Sequence, residues 1–541
     1  MTVVLAVHNT MPDLTECLDS LLAQTIGLGR LQIVAVDDGS TDGGGEELDR
    51  LARAHPDTVT VLHQPDSGGP AAPSNRGLER ARGRYVHFMG ADDRLGEEAL
   101  ARLVAHADAL GSDIVIGRMT GVGGRYVHQG LFRRSDPDIT LHGSALPFTL
   151  SNAKLFRREL VERHRLRFPE DLPVGSDQPF TIEACVRAGR ISVLADYTYY
   201  YAVRRRDAGD ITHRAGHLER LRCTARIMHH AAGLIGPGPE RDSLLHRHFT
   251  WELAKLLQPD FPDLGEPVRR ELCAGIAELA DAYLTEPLRD SLPVRRRALL
   301  ALAQRGAVDL LVRAIEDAAA HGPLFLLEGD RAYLRCPGFR DPALNLPDRV
   351  FEVLDEPLTA VLCAGTELLA ADWDQRGDDL ALSLTVRTPL TGDTSATVVR
   401  LMRGSLPRSA DRAGGRRLPE PDTLPPAAGD FERGGGDGTV IHARIPVAAA
   451  TASLGVRVHA RVAGRTYEIP LRARGKPMPL ARRWRLEDSY RAAARVSGKG
   501  RMTVRTGPVD PPRERRWPAR LRRALRFRPP PTRTGAAREG K

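Results

Sequence analysis

The chain is poor in cysteine. Six residues (Cys17, Cys185, Cys223, Cys273, Cys336, Cys363) are scattered through 541 positions, with no CxxC pair. That spacing excludes a disulfide framework and a cysteine zinc site, and it fits a reducing compartment. Long hydrophobic runs are missing too. No window approaches the roughly 18 apolar residues that a membrane-spanning helix needs. The first residues, MTVVLAVHNT, have neither a basic n-region nor a long apolar h-region. They read as a buried strand, so export by a signal peptide is not expected and a cytoplasmic location is. Aromatics are sparse at 5%, and only five cations are lysine (Lys154, Lys255, Lys476, Lys499, Lys541).

Charge is present but confined. The chain carries +9, and residues 511–541 alone hold eleven Lys/Arg against two Glu. The remainder is therefore neutral. A neutral body without a matching motif excludes nucleic acid as the expected partner. In the tail, Trp517, Leu521, Leu525 and Phe527 interleave with arginines. Two readings stand: a short helix laid on an anionic membrane surface, or a solvated charge run.

With 42% hydrophobic and 27% charged residues, the chain is ordinary globular stock of two to four domains. Over residues 1–215, apolar runs (Val3–Val7, Ile33–Val36, Val59–Leu62, Tyr85–Phe88) alternate with helical spacing (Leu14–Leu22, Glu46–Ala54, Glu97–Leu110). That alternation predicts an α/β, Rossmann-like domain with a parallel sheet and ligands at the strand ends. Residues 216–322 read as a helical segment and 323–475 as a β-sandwich-like domain, with a long flexible loop over 403–438. Residues 476–541 read as a basic, mostly disordered tail.

Two strands end in acidic pairs, Asp37-Asp38 and Asp92-Asp93. Carboxylates at such an edge can accept hydrogen bonds from a base or ribose, or hold a hard divalent cation carrying a diphosphate. The competing reading is turn and cap chemistry: Asp37–Asp42 as a turn, Asp92–Asp93 before a helix. Asp177 likewise reads either as a helix N-cap before Pro179 or as a carboxylate aimed at a ligand.

Val7-His8-Asn9, Val36 through Asp42, and Phe88 through Asp93 resemble family 2 glycosyltransferases of the GT-A fold. Ser67-Gly68-Gly69-Pro70, Pro73-Ser74-Asn75, Thr149-Leu150-Ser151 with Lys154, Ser176-Asp177-Gln178 and Arg190 through Leu194 with Tyr199-Tyr200-Tyr201 resemble the poly(ribitol phosphate) N-acetylglucosaminyltransferases of wall teichoic acid. The resemblance implies a UDP-sugar donor, an anionic wall-polymer acceptor, Mn²⁺ or Mg²⁺, an Ig-like oligomerisation domain and a homotrimer. It implies Asp38 at the uracil, Asp92 and Asp210 at the metal, and Asp177 as general base. Val7, Asn9, Asn75, Asp93, Arg125, Lys154, Gln178 and Thr212 would contact substrate. Three positions depart from the pattern. Gly90 stands where an Asp is usual, Ser74 where an Arg is, and Ser176 where an acid precedes the base.

Overall fold

The computed structural model describes residues 1–204, 216–354, 357–403, 416–418, 430–434, 438–448, 450–473, 475–484 and 490–509. They form two compact units. The first is Met1–Pro323 with Ala332–Glu356; the second is Leu324–Arg331 with the described residues from Pro357 onward.

The first unit is built on a seven-stranded sheet. The chain runs β1 (Thr2–Val7), α1 (Asp13–Leu22), β2 (Gln32–Asp38), α2 (Gly44–Ala54), β3 (Val59–Gln64), α3 (Ala71–Glu79) and β4 (Tyr85–Gly90). It continues through β5 (Arg94–Leu95), α4 (Ala99–Leu110), β6 (Ile114–Gly117), β7 (Met119–Val122), β8 (Leu155–Arg157), α5 (Arg158–Arg163), α6 (Asp177–Arg187), β9 (Ile191–Leu194) and β10 (Tyr200–Val203). The strand order is β3-β2-β1-β4-β8-β6-β9. The chain winds outward from β1 to β3, then crosses back to place β4 on the other side of β1. This reversal opens a crevice at the carboxyl ends of β1, β2 and β4. In register, Val7 pairs with Asp37 and Ala6 with Gly90, so both acidic pairs leave the sheet at the same edge. A small second sheet, β5-β10-β7, lies beyond.

The strands form because they are β-branched and buried on both faces, as parallel strands require. Val3, Leu5, Ile33, Val34 and Val36 have no exposed surface. Helix α1 buries Leu14, Cys17, Leu18 and Leu21, the stripe that its helical spacing sets.

The helical segment belongs to the same unit. It comprises helices His217–Leu234, Pro239–Arg247, Glu266–Tyr283, Glu286–Ser291, Val294–Gln304 and Val308–His321. A π turn at His248–Glu252 follows Pro239–Arg247.

The second unit is β-rich. One antiparallel sheet joins Glu367–Arg376, Asp379–Thr388, Thr439–Pro446 and Asp430–Gly434. Another joins Arg465–Pro470, Ala452–Val462, Met502–Pro508, Tyr490–Val496 and Arg482–Trp484, with Val398–Arg403 on Ala452–Val462. The strands therefore run past 475 into the stretch expected as disordered tail. Tyr490–Val496 buries only Ala492 and Ala494 between arginines, so its apolar alternation is weak, carried at its centre by small alanines. The strand Asp430–Gly434 likewise falls inside the expected loop 403–438; it is an exposed edge strand, polar for that reason. The arginine-rich stretch from Trp517 to Phe527 lies outside the described residues. No helix among the described residues is long and apolar enough to cross a membrane.

Candidate active site

The two acidic pairs are built differently. At the end of β2, Asp37 accepts from the Ser40 amide (3.0 Å) and His63 Nδ1 (2.9 Å). Burial pushes its carboxyl up, but the hydrogen bonds from Ser40 and His63 win and hold it below the usual range. Asp38, 3% exposed, accepts from Gln64 Nε2 (2.6 Å) and from the Ser67 hydroxyl and amide (2.8 and 3.2 Å). Gly39 turns the chain here with φ +74°, and a Cβ there would stand 2.7 Å from the Asp66 amide nitrogen. Only glycine fits that turn.

After β4, Asp93 accepts from the Tyr200 hydroxyl (2.5 Å) and the Val203 amide (2.8 Å), while Tyr200 accepts from the Gly90 amide (3.1 Å). Burial first, then the neighbouring Asp92 charge, pushes the Asp93 carboxyl up to about 7. The same charges, with burial, hold the Tyr200 hydroxyl far above its ordinary value. A Cβ on Gly90 would meet Asp93 Oδ2 at 2.8 Å and Asp92 Oδ1 at 2.9 Å. Gly90 is thus the surface over which the two carboxylates close, and no third carboxylate fits there as the loop stands. The donor set is hard oxygen, and its excess negative charge is what a divalent cation would neutralise. Asp93 has both oxygens engaged, and Asp92 beside it is the residue that would hold the cation. The residues fit Mn²⁺ or Mg²⁺.

His8, Asp38 and Asp66 also bring ligand atoms within 4.8 Å of one another. His8 Nδ1 lies 2.7 Å from the Asp38 carbonyl oxygen, which can only accept, so Nδ1 carries the proton. Its Nε2 then accepts from Asn9 Nδ2 at 3.1 Å. The Gln64 and Ser67 bonds on Asp38 hold this cluster in place.

Asp177 is the first residue of α6, and Ser176 precedes it as N-cap without a side-chain capping bond. The helix N-terminus favours its ionised form. Burial raises its pKa above the ordinary value, and the nearby Arg247 and Lys154 charges oppose that rise. Gln178 is buried and accepts from Arg247 Nη1 (2.9 Å).

Val7 is buried at the end of β1. Asn9, with φ +49°, accepts from the Thr41 amide (2.8 Å) and stitches the β1 end to the Asp37–Asp42 turn. Asn75, expected at the substrate, is buried in α3. Its amide donates to Phe168 O and Glu170 Oε1 and accepts from the Phe168 amide, each at 2.9 Å. Ser74 is buried beside it. Lys154 Nζ is buried and donates to the carbonyls of Thr149 (2.7 Å) and Ser151. Burial lowers its pKa to about 8. It clamps the Thr149–Ser151 loop, and its charge reaches Asp177. Arg125 is exposed in the turn after β7, and its charge lowers Asp93. Asp210 and Thr212 lie outside the described residues. Tyr200, Arg247 and Glu252 were missed as site residues. Tyr200 stands in a motif already noted, but nothing in sequence ties it to Asp93, 107 positions away.

Asp38 and Asp92 leave the sheet at one edge, at the switch point between β2, β1 and β4, and Asp177 opens α6 in the same unit; α/β sheets bind their ligands at such an edge. Residues 2–165 match the model "Glycosyl transferase family 2", and this part of the chain is a family 2 glycosyltransferase domain. Residues 218–315 match the model "Glycosyl transferase TarS linker domain". Among curated proteins, the chain is 38% identical over 205 residues to a poly(ribitol-phosphate) beta-glucosyltransferase of Bacillus spizizenii, covering 38% of this chain and 32% of that protein. It is 37% identical over 204 residues to the poly(ribitol-phosphate) beta-N-acetylglucosaminyltransferase TarS of Staphylococcus aureus, covering 38% and 35%. The aligned stretch thus spans about a third of these relatives. A crystal structure of S. aureus TarS 1–349 in complex with UDP-GlcNAc superposes with TM-score 0.55 at 26% identity, over 62% of this chain and 97% of that one. A longer TarS structure matches 94% of this chain and 85% of its own, with TM-score 0.58 at 21% identity, a likeness of fold.

Proposed function

We propose that this chain is an inverting, metal-dependent transferase. It moves a hexose, glucose or N-acetylglucosamine, from UDP to a hydroxyl of an anionic wall polymer such as poly(ribitol phosphate). One observation carries the reading: Asp38 and Asp92–Asp93 leave one sheet edge, and Asp177 opens α6 in the same unit. The relatives' named activities supply the substrate classes.

In this reading Asp38 accepts from the uracil. Asp177 takes the acceptor hydroxyl proton as that oxygen attacks the anomeric carbon, and the carbon–oxygen bond to UDP breaks with its electron pair leaving on UDP. A positioned base contributes about 10²–10⁴-fold. Asp92 would hold Mn²⁺ or Mg²⁺, which supplies Lewis-acid stabilisation of the leaving diphosphate. Val7 and Asn9 shape the nucleotide edge, and Arg125 faces the phosphates. Gln178 holds the acceptor side. Asn75 and Lys154 act through the loops they clamp.

The β-rich second unit is proposed to assemble the chain as a homotrimer, and the basic tail to hold it peripherally at the inner membrane face. Light scattering and flotation with anionic vesicles test these two points.

The test of the transfer is UDP release across UDP-sugars with Mn²⁺, with and without poly(ribitol phosphate) or poly(glycerol phosphate), against Asp177→Asn. Release requiring one sugar, one polymer and Asp177 is expected. UDP binding without release from any donor would favour a catalytically silent relative, the reading that Gly90, Ser74 and Ser176 motivate.

A further inference from the structure

The helical region reaches the proposed base. Arg247 ends the helix Pro239–Arg247, directly before the π turn His248–Glu252. π turns insert a residue, redirect side chains and recur at functional sites. This one turns Glu252 back onto Arg247, at 2.8 Å between Nη2 and Oε1. The pair is largely shielded, with side chains 11% and 17% exposed. The guanidinium also lies 5.6 Å from the Trp251 ring centroid. Its other nitrogen, Nη1, donates to Gln178, the neighbour of Asp177. The guanidinium is thus fixed from three sides and cannot swing freely.

We propose that Arg247, held by Glu252 of the π turn, is a positioning residue for Asp177, so that the helical region completes the acceptor side of the transferase site. This inference rests on the reading of Asp177 as the base. The charges that face Asp177 are Arg247 and Glu252 from the helical region and Lys154 after the Thr149–Ser151 loop. Arg247 and Lys154 favour the carboxylate; Glu252 disfavours it. Arginine suits this post because its planar fork binds two acceptors at once in fixed geometry.

The test labels aspartate carboxyl carbons with ¹³C and follows their titration by NMR in the full chain. The resonance absent from Asp177→Asn identifies the base. Arg247→Gln is expected to raise the Asp177 midpoint by about one pH unit, the low end of an opposite charge's effect. Glu252→Gln is expected to lower it, and Arg247→Lys to restore most of the shift. A fold or stability change alone would not move the two variants in opposite directions. Should Arg247→Gln fail to fold, Glu252→Gln and Arg247→Lys carry the same test. Unmoved midpoints, or shifts of the same sign in Arg247→Gln and Glu252→Gln, overturn the proposal. The acidic limb of kcat/KM for UDP-GlcNAc and poly(ribitol phosphate) should shift in parallel. Full activity in Asp177→Asn would instead sink the base assignment, whatever the midpoints do.

Discussion

Asp37–Asp38 and Asp92–Asp93 look alike in sequence: an apolar strand, then two aspartates. In the fold they are opposites. The β2 pair is surrounded by donors, from Ser40, His63, Gln64 and Ser67, and Asp37 is held below its ordinary pKa. The β4 pair turns its charges on one another, and Asp93 rises to about 7 despite bonds from Tyr200 and Val203. A pair ringed by donors is suited to hydrogen-bond recognition. A pair of facing carboxylates is suited to a cation. The lesson is that the job of a strand-end carboxylate is set by what the neighbouring strands deliver to it. Here the suppliers are β3 and its following loop for one pair and β10 for the other.

Substitutions can break this contrast, and the largest effect lies outside both pairs. Asp177→Asn is expected to cut turnover by about 10²-fold or more while leaving UDP affinity intact, because it removes only a group that acts in the transition state. Calorimetry with UDP beside the release assay separates the two. Asp92→Ala should come next, with about 10²-fold lost from turnover and no remaining response to Mn²⁺. A variant still activated by Mn²⁺ would move the cation away from the β4 pair. Asp38→Asn should cost about tenfold in UDP affinity, the scale of one hydrogen bond to a charged group, while the Mn²⁺ response is kept. Equal loss of the metal response in Asp38→Asn and Asp92→Ala would erase the distinction between the pairs.

Much of the site was legible because its residues sit in local motifs. Asp38, Asp92 and Asp177 each follow a recognisable strand or precede a helix, and the alternation of apolar runs located the sheet. What sequence could not show is what arrives from a distance. Tyr200 reaches Asp93 only because β10 pairs with β5 and β7. Arg247 reaches Gln178 only because the helical region packs into the same unit. Asn75 read as a substrate contact, since an amide's bonding is invisible until its partners are placed. Along 476–508 the signal itself was weak. Alanine buried between arginines carries a strand there, and the small side chain makes its alternation a faint cue.

The smallest effect tests the donor-rich character of the β2 pair through stability. His63 bridges Asp37 and Asp49, at 2.9 and 3.0 Å. Hydrogen bonds that it donates to Asp37 and then to Asp49 raise its pKa above 6.5. A raised histidine contributes stability that is complete below 6.5 and lost as pH rises through the higher folded value. Asp37 is lowered, so its contribution is complete above 3.8 and lost as pH falls through the lower folded value. Both are therefore in place between pH 3.8 and 6.5. His63 is 49% exposed, and solvent screening limits the pair to about 0.5 kcal/mol or less. Wild type should thus lose a small margin over His63→Gln between pH 6 and 8, measured by urea unfolding of the full chain. A margin that grows with pH over that range would mean that the imidazole serves Asp37 as a neutral donor and not as a charge.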